Sequence, residues 1–197
     1  MFSVISYELL YGETGGGHAE YEYTEPGTYS ITIPKDAIVD IAIVGGGGVG
    51  LRRIVQGQPS YIVLGGGGAA FVGRIQIPAK EYTVIVGNFQ SGPSTNTDSS
   101  LSDLIVAHGG KVDTSLGASS AKGGVLNLLD ESKIVSTQIS SNGNNGYVSS
   151  ASNPSGIVLP TLPYTGGASL YKGYGMGAQY DSSGPLGGTG GYFYLKY

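Results

Sequence analysis

Cysteine and tryptophan are absent from this 197-residue chain, and histidine occurs only twice. Without cysteine there is no disulfide framework and no thiol chemistry, and the redox compartment stays open. His18 and His108 are too few for a histidine-rich metal site, and a Ser-His-Asp triad would have to use one of them. Charge is scarce as well: charged residues make up 12% of the chain, against about 25% in ordinary domains. The net charge is -4, and Arg52-Arg53 is the only adjacent cationic pair. Nucleic-acid binding, which needs a dense basic stripe, is excluded on this count. No apolar run approaches the ~18 residues of a membrane span, so no membrane insertion is expected. The opening Met1 to Glu8 lacks the basic segment of a signal peptide, so classical secretion is not indicated either.

What the chain has in excess is glycine, 36 residues, where the usual share would give about 14. Two unbroken runs, Gly45 to Gly48 and Gly65 to Gly68, follow the apolar stretches Ile41-Ala42-Ile43-Val44 and Tyr61-Ile62-Val63-Leu64. Flexible linkers are flanked by Ser, Thr or charge, whereas these runs emerge from what should be core. No Gly-X-Y register persists, which excludes collagen. Each glycine forfeits roughly 0.5 to 1 kcal/mol relative to alanine, so the two runs need a compensating interaction that only glycine permits. Glycine segments in the polyproline II conformation supply one, because side-by-side strands pair their outward-pointing amides and carbonyls and leave no room for side chains. The reading is an all-β fold, with antiparallel strands flanking a glycine-rich core of packed polyglycine II helices. Ordinary strands with glycine bulges are the competing account.

Period-two alternation sets the strands. Tyr21 and Tyr23, a turn at Glu25-Pro26-Gly27, then Tyr29, Ile31 and Ile33 predict a hairpin. A turn near Pro34-Lys35-Asp36 leads to Val39, Ile41 and Ile43. Phe71 to Ile77 turns through Pro78-Ala79-Lys80 into Tyr82, Val84 and Val86 as a second hairpin. Leu101 to Ala107 reads as one strand, closed by Gly109-Gly110. Val125 to Lys133 reads as a short helix and Ser136 to Ser155 as loop. The last third is punctuated by Gly166-Gly167, Gly187-Gly188 and Gly190-Gly191 and ends in an aromatic strand, Tyr192 to Tyr197. Residues 1–17 form an N-terminal arm, and residues 18–197 one glycine-rich domain.

Gly45 to Gly50 formally satisfies G-x-G-x-x-G after a strand, but Gly57 and Pro59 stop the helix the motif requires and no acid follows between Ser60 and Gly73. No cofactor is expected. His108, five residues after Asp103, reads as a surface residue or polar cap; Glu20, Glu22 and Glu25 read as the solvent face of a strand. The aspartates show no EF-hand spacing. No catalytic, cofactor or metal residues are assigned, and the chain is read as non-enzymatic. Tyr147, Tyr164, Tyr171, Tyr174 and Tyr180 sit among glycine and polar residues. There they serve either as rigid aromatic contacts for a partner or as caps on the glycine bundle. Arg52, Arg53, Phe89 and Asn96 lie on connections where a ligand could meet them.

Several motifs together carry a resemblance: Pro26-Gly27-Thr28-Tyr29, Ile33-Pro34, Asp40 to Gly48, Gly65 to Ala70, Tyr82 to Gly87, Ser99 to Leu101 through Gly109-Gly110, and Gly190-Gly191-Tyr192. From about Ala19 to Tyr197 the chain resembles the glycine-rich domain of bacteriophage tail fibres, including the fibre-tip adhesins of T-even-type phages. The tract Val125 to Tyr164 departs from that pattern. The resemblance implies a sandwich of polyglycine II helices, with loops touching a host receptor. It also implies a virion location, attachment to other virion proteins through the arm, and a bacterial surface receptor, either a glycan or an outer-membrane protein. A homotrimer is the common fibre assembly, although no three-fold seam is legible. A head-fibre or capsid decoration protein, and a bacterial surface carbohydrate-binding module, are the alternatives.

Overall fold

Alternating β-branched and aromatic residues place one face of each long strand in a shared interior. In chain order, the strands of the two principal sheets are β1 Glu20–Tyr23, β2 Gly27–Ile33, β3 Ala37–Val44, β4 Ala70–Ile77, β5 Lys80–Val86, β6 Ser99–Leu101, β7 Ile105–Ala107, β8 Leu126–Leu128, β9 Ile134–Ser141 and β10 Tyr192–Lys196. This computed structural model describes residues 19–49, 51–53, 60–63, 65–90, 95–112, 121–145, 148–151, 172–177, 180–181, 184–185 and 188–197. One five-stranded sheet has the order β1-β10-β3-β4-β9 and the other β8-β7-β6-β5-β2, and every pairing is antiparallel. The fold is all-β, as the alternation requires.

The sheets face each other across one apolar core. Val39, Ile41 and Ile43 of β3, with Phe71, Ile75 and Ile77 of β4, pack in one cluster with Ile31 and Ile33 of β2 and Tyr82, Val84 and Val86 of β5. Phe193 and Leu195 add the aromatic strand expected at the end of the chain. Glu20, Glu22 and Glu25 are exposed, while Tyr21 and Tyr23 pack against the core.

Neither expected hairpin forms. β1 pairs with β10 and β2 with β5, so the chain crosses from one sheet to the other at residues 24–26. It crosses again between β2 and β3, and between β4 and β5, whose partners are each other's flanking strands: β3 with β4, and β2 with β5. These corners are tied together, with the Ala79 amide donating to Asp36 Oδ1 at 2.8 Å. The Tyr82 hydroxyl donates to the Pro78 carbonyl at 2.8 Å.

Three further expectations are corrected. Leu101 to Ala107 is two strands around a tight turn, with Ser102 at φ 43. Val125 to Lys133 is β8 followed by a single 3-10 turn, Glu131–Lys133, because Leu126 and Leu128 face the core at strand spacing. Ser136 to Ser155, expected as loop, contains most of β9 and a further strand, Val148–Ala151. The arm, residues 1–17, lies outside the described residues.

Ala19 and Tyr197 exchange backbone hydrogen bonds at 3.1 Å in both directions. Lys196 pairs with Asp40 and Tyr192 with Val44, so Tyr197 lies at the end of the sandwich opposite Gly45. The molecule therefore has a pole where Ala19 and Tyr197 meet and a pole where the glycine runs begin.

Candidate functional site

β3 runs into Gly45 to Gly48, and Gly65 to Ala69 runs back into β4. The two runs extend the β3–β4 pair beyond the sheet. The Gly45 amide donates to the Ala69 carbonyl at 2.9 Å and the Gly48 amide to the Gly66 carbonyl at 2.8 Å. Between them, Gly46 donates to Thr97 at 2.7 Å and Gly47 to Thr189 at 2.9 Å. The partners thus fan out around the run and return to the same neighbour after three residues. The facing run fans in the same way: Gly67 donates to Asn144, Gly68 to Gly175 and Ala69 to His108. Each segment is hydrogen-bonded laterally to several others, which satisfies its buried backbone groups.

Gly45 to Gly48, Gly65 to Gly68, Gly109, Gly110 and Gly191 are buried, and Gly188 and Gly190 half-buried. Gly166, Gly167 and Gly187 lie outside the described residues. None of these described glycines has a left-handed φ, so backbone freedom is not what selects them. Space is. A Cβ at Gly46 would enter the Asn88 carbonyl, one at Gly65 the Gly48 carbonyl, one at Gly68 the Gly45 carbonyl and one at Gly110 the Gly66 carbonyl.

A polar tie closes the base of the block. His108 Nδ1 lies 2.9 Å from Asp98 Oδ2, and Asp98 Oδ1 accepts from the Gly109 amide at 3.0 Å. His108 Nε2 lies 2.9 Å from Asn127 Nδ2. Asp98 is thus the carboxylate beside His108, and Asp103 pairs with Lys80 at 3.6 Å. Both ring nitrogens of His108 have a side-chain neighbour at hydrogen-bond distance. Among the described residues no group of three or more His, Asp or Glu is placed to hold a metal, and no helix is long and apolar enough to cross a membrane.

Because Gly45 bonds Ala69 next to the strands and Gly48 bonds Gly66 three residues on, Gly48 and Gly65 are the ends of their runs away from the sandwich. Small ladders stand on the connections between glycine segments. Leu51–Arg53, Ser60–Val63 and Val148–Ala151 form a three-stranded antiparallel sheet, Lys111–Val112 pairs with Ala121–Lys122, and Tyr180–Asp181 with Gly184–Pro185.

The residues proposed from sequence to meet a ligand are dispersed. Arg52 pairs with Ile62 and Arg53 with Tyr61 in the three-stranded sheet. Phe89 is half-buried within a block segment, where Gln90 donates to Gly47. Asn96 is exposed on the same rim, its Oδ1 accepting from the Asp98 amide at 3.1 Å. Tyr180 pairs with Pro185. Tyr147, Tyr164 and Tyr171 lie outside the described residues.

Tyr174 belongs elsewhere: its ring stacks on Tyr192 at 4.7 Å, and its neighbour Gly175 bonds Gly68 and Gly190. It covers an outer apolar patch formed by Ala42, Val44, Ala70 and Tyr192. The buried Tyr192 sends its hydroxyl to Glu22 at 2.7 Å. The ladder of Lys111 and Lys122 escaped the sequence reading, although the mirrored tripeptides Gly109-Gly110-Lys111 and Lys122-Gly123-Gly124 signal two block segments turning back together.

The sequence pattern of the glycine-rich domain family matches residues 24–194. The chain belongs to that family. No curated protein matches it.

Proposed function

We propose that this chain is a phage virion structural protein, a tail-fibre or adhesin component that recognises a host-cell surface receptor through loops on a rigid glycine-rich scaffold. The observation that carries the reading is bipolarity. Ala19 and Tyr197 meet at one end, and the connection between the two tetraglycine runs leaves from the other. A chain held through its arm at the first pole presents the second outward, away from the particle.

The block suits that task, because laterally bonded backbone gives the loops a stiff base. Its three-residue recurrence of partners is the pattern of polyglycine II helices packed side by side, and we read it so. The receptor is a bacterial surface glycan or outer-membrane protein, and the arm binds other virion proteins. Labelled antibody on intact particles tests this reading, together with binding of the purified chain to host envelope fractions. Label at the fibre tip with saturable envelope binding supports it. Label on the capsid, without envelope binding, overturns it in favour of a decoration protein.

A further inference from the structure

Lys111 and Lys122 are direct cross-strand partners in the short ladder above the glycine block. Residues directly opposite in an antiparallel pair project to the same face with Cβ atoms about 5 Å apart, and like charges there destabilise the pair. Both lysines are exposed, and among the described residues neither takes part in an ion pair. The ladder cannot easily splay to relieve the repulsion. Gly110 donates to Gly46 and Gly124 to Gly67, each at 2.8 Å, so both strands are anchored in the block immediately beneath the lysines. The Asn145 side chain is fixed beside them, its Oδ1 accepting from the Gly123 amide at 2.9 Å. That bond occupies the oxygen, so the side-chain amide nitrogen is the donor end of Asn145. Two ammonium groups carried on opposed positions of anchored strands, with an amide N–H, are the complement of a compact anion of more than one charge.

We propose that Lys111, Lys122 and Asn145 form an anion-binding site for the phosphate or carboxylate groups of a bacterial envelope polysaccharide. The proposal rests on the reading of this pole as receptor-facing and narrows the receptor to an acidic glycan. The anion replaces mutual repulsion of the lysines by two attractive contacts. Nucleic acid is disfavoured as the polymer because the chain has no extended basic stripe to follow a phosphate backbone.

The test uses the full chain, isotope-labelled and followed by NMR during titration with inorganic pyrophosphate, against chloride at equal ionic strength. Saturable shifts confined to the amides of residues 109–111 and 122–124 and the side-chain amide of Asn145 are expected. They vanish in the Lys111→Gln/Lys122→Gln double variant, whose fold is checked by circular dichroism. Shifts that follow ionic strength alone, or that persist in the variant, overturn the site. A single Lys122→Glu change supplies a second readout. It places opposite charges across the ladder, so the melting temperature rises by about 1–3 °C without ligand while the pyrophosphate shifts are lost; an unchanged or lower melting temperature contradicts the stored repulsion.

Envelope polysaccharide is then compared with the same material stripped of phosphate and with carboxyl-reduced material, which identifies the source of the anion. The double variant should bind the native polymer about tenfold more weakly. Equal binding by both proteins overturns this site and leaves the adhesin reading standing. Pyrophosphate shifts without envelope binding by either protein retain the site and overturn the adhesin reading. Stronger competition by a single-stranded oligonucleotide than by the polysaccharide overturns the choice of polymer.

Discussion

The Gly48 amide donates to the Gly66 carbonyl across 2.8 Å, joining the two tetraglycine runs backbone to backbone. A Cβ at Gly65 or Gly68 would enter the Gly48 or Gly45 carbonyl of the facing run, and one at Gly48 would come within 3.1 Å of the Gly66 amide. The consequence can be tested with single methyl groups at adjacent positions.

A Cβ at Gly190 would have its nearest neighbour, the Gly87 carbonyl, at 3.6 Å, which is ordinary contact; one at Gly191 would enter the Ser99 hydroxyl and lie 2.6 Å from the Val44 carbonyl. Gly190→Ala is expected to be neutral or to stabilise by up to ~1 kcal/mol through the unfolded chain. Gly191→Ala should destabilise by about 2–4 kcal/mol, the cost of overpacking. Urea denaturation of the two variants distinguishes them, and similar midpoints would contradict a sterically closed block.

Tyr174→Ala removes the ring stacked on Tyr192 and uncovers the outer apolar patch. A loss of about 2 kcal/mol is expected from the aromatic pair and the exposed surface, with earlier proteolytic cleavage in residues 172–177. A variant with native stability and impaired envelope binding would return Tyr174 to the group of ligand contacts.

Asp36→Ala deletes the acceptor for the Ala79 amide and unties two corners. An exposed bond of this kind contributes about 1 kcal/mol, so a correspondingly lower denaturation midpoint is expected. Asp36→Asn, which keeps an acceptor oxygen, should recover most of it.

Alkaline pH has a defined effect. Burial, followed by a hydrogen bond with Glu20 and the charges of Glu20, Asp40 and Glu22, raises the Tyr194 pKa from 10.0 to about 12. The folded state thus holds this proton more tightly than the unfolded chain does. The associated stability is complete below pH 10 and is lost as the pH rises through about 12. Tyr194→Phe should flatten the stability profile across that window, and phenolate absorbance should show one fewer late-titrating tyrosine in the variant than in the wild type, where Tyr29 and Tyr82 are raised as well.

The long strands were legible because Ile31, Ile33, Val39, Ile41, Ile43, Tyr82 and Val84 alternate with polar or smaller residues and bury one face. Their partners were not. A Pro-containing turn between two alternating segments fits a hairpin and a sheet-crossing corner equally well, and only the non-local match of β3 with β4 and of β2 with β5 decides between them. β9 was missed because irregular register between Ile134 and Ser136, and between Thr137 and Ile139, breaks the two-residue period. Gly45 to Gly48 were recognisable as core from the apolar strand before them. That Thr97 contributes its carbonyl to the same block was not, since residues 95–98 carry neither glycine nor an apolar side chain. The Lys111–Lys122 ladder was hidden for a related reason: its meaning depends on register, which two isolated lysines do not encode.

The reciprocal bonds between Ala19 and Tyr197 bear on mechanics. Tension applied at the loops and resisted at Ala19 acts along the strand axes, so the β1–β10 ladder is loaded in shear and its bonds must yield together. Tension between Ala19 and Tyr197 instead opens that ladder one rung at a time. Under the proposed function, load passing from the loops to the arm would fall in the strong direction, while the weak direction would be loaded only by a neighbour that grips Ala19 and Tyr197 together.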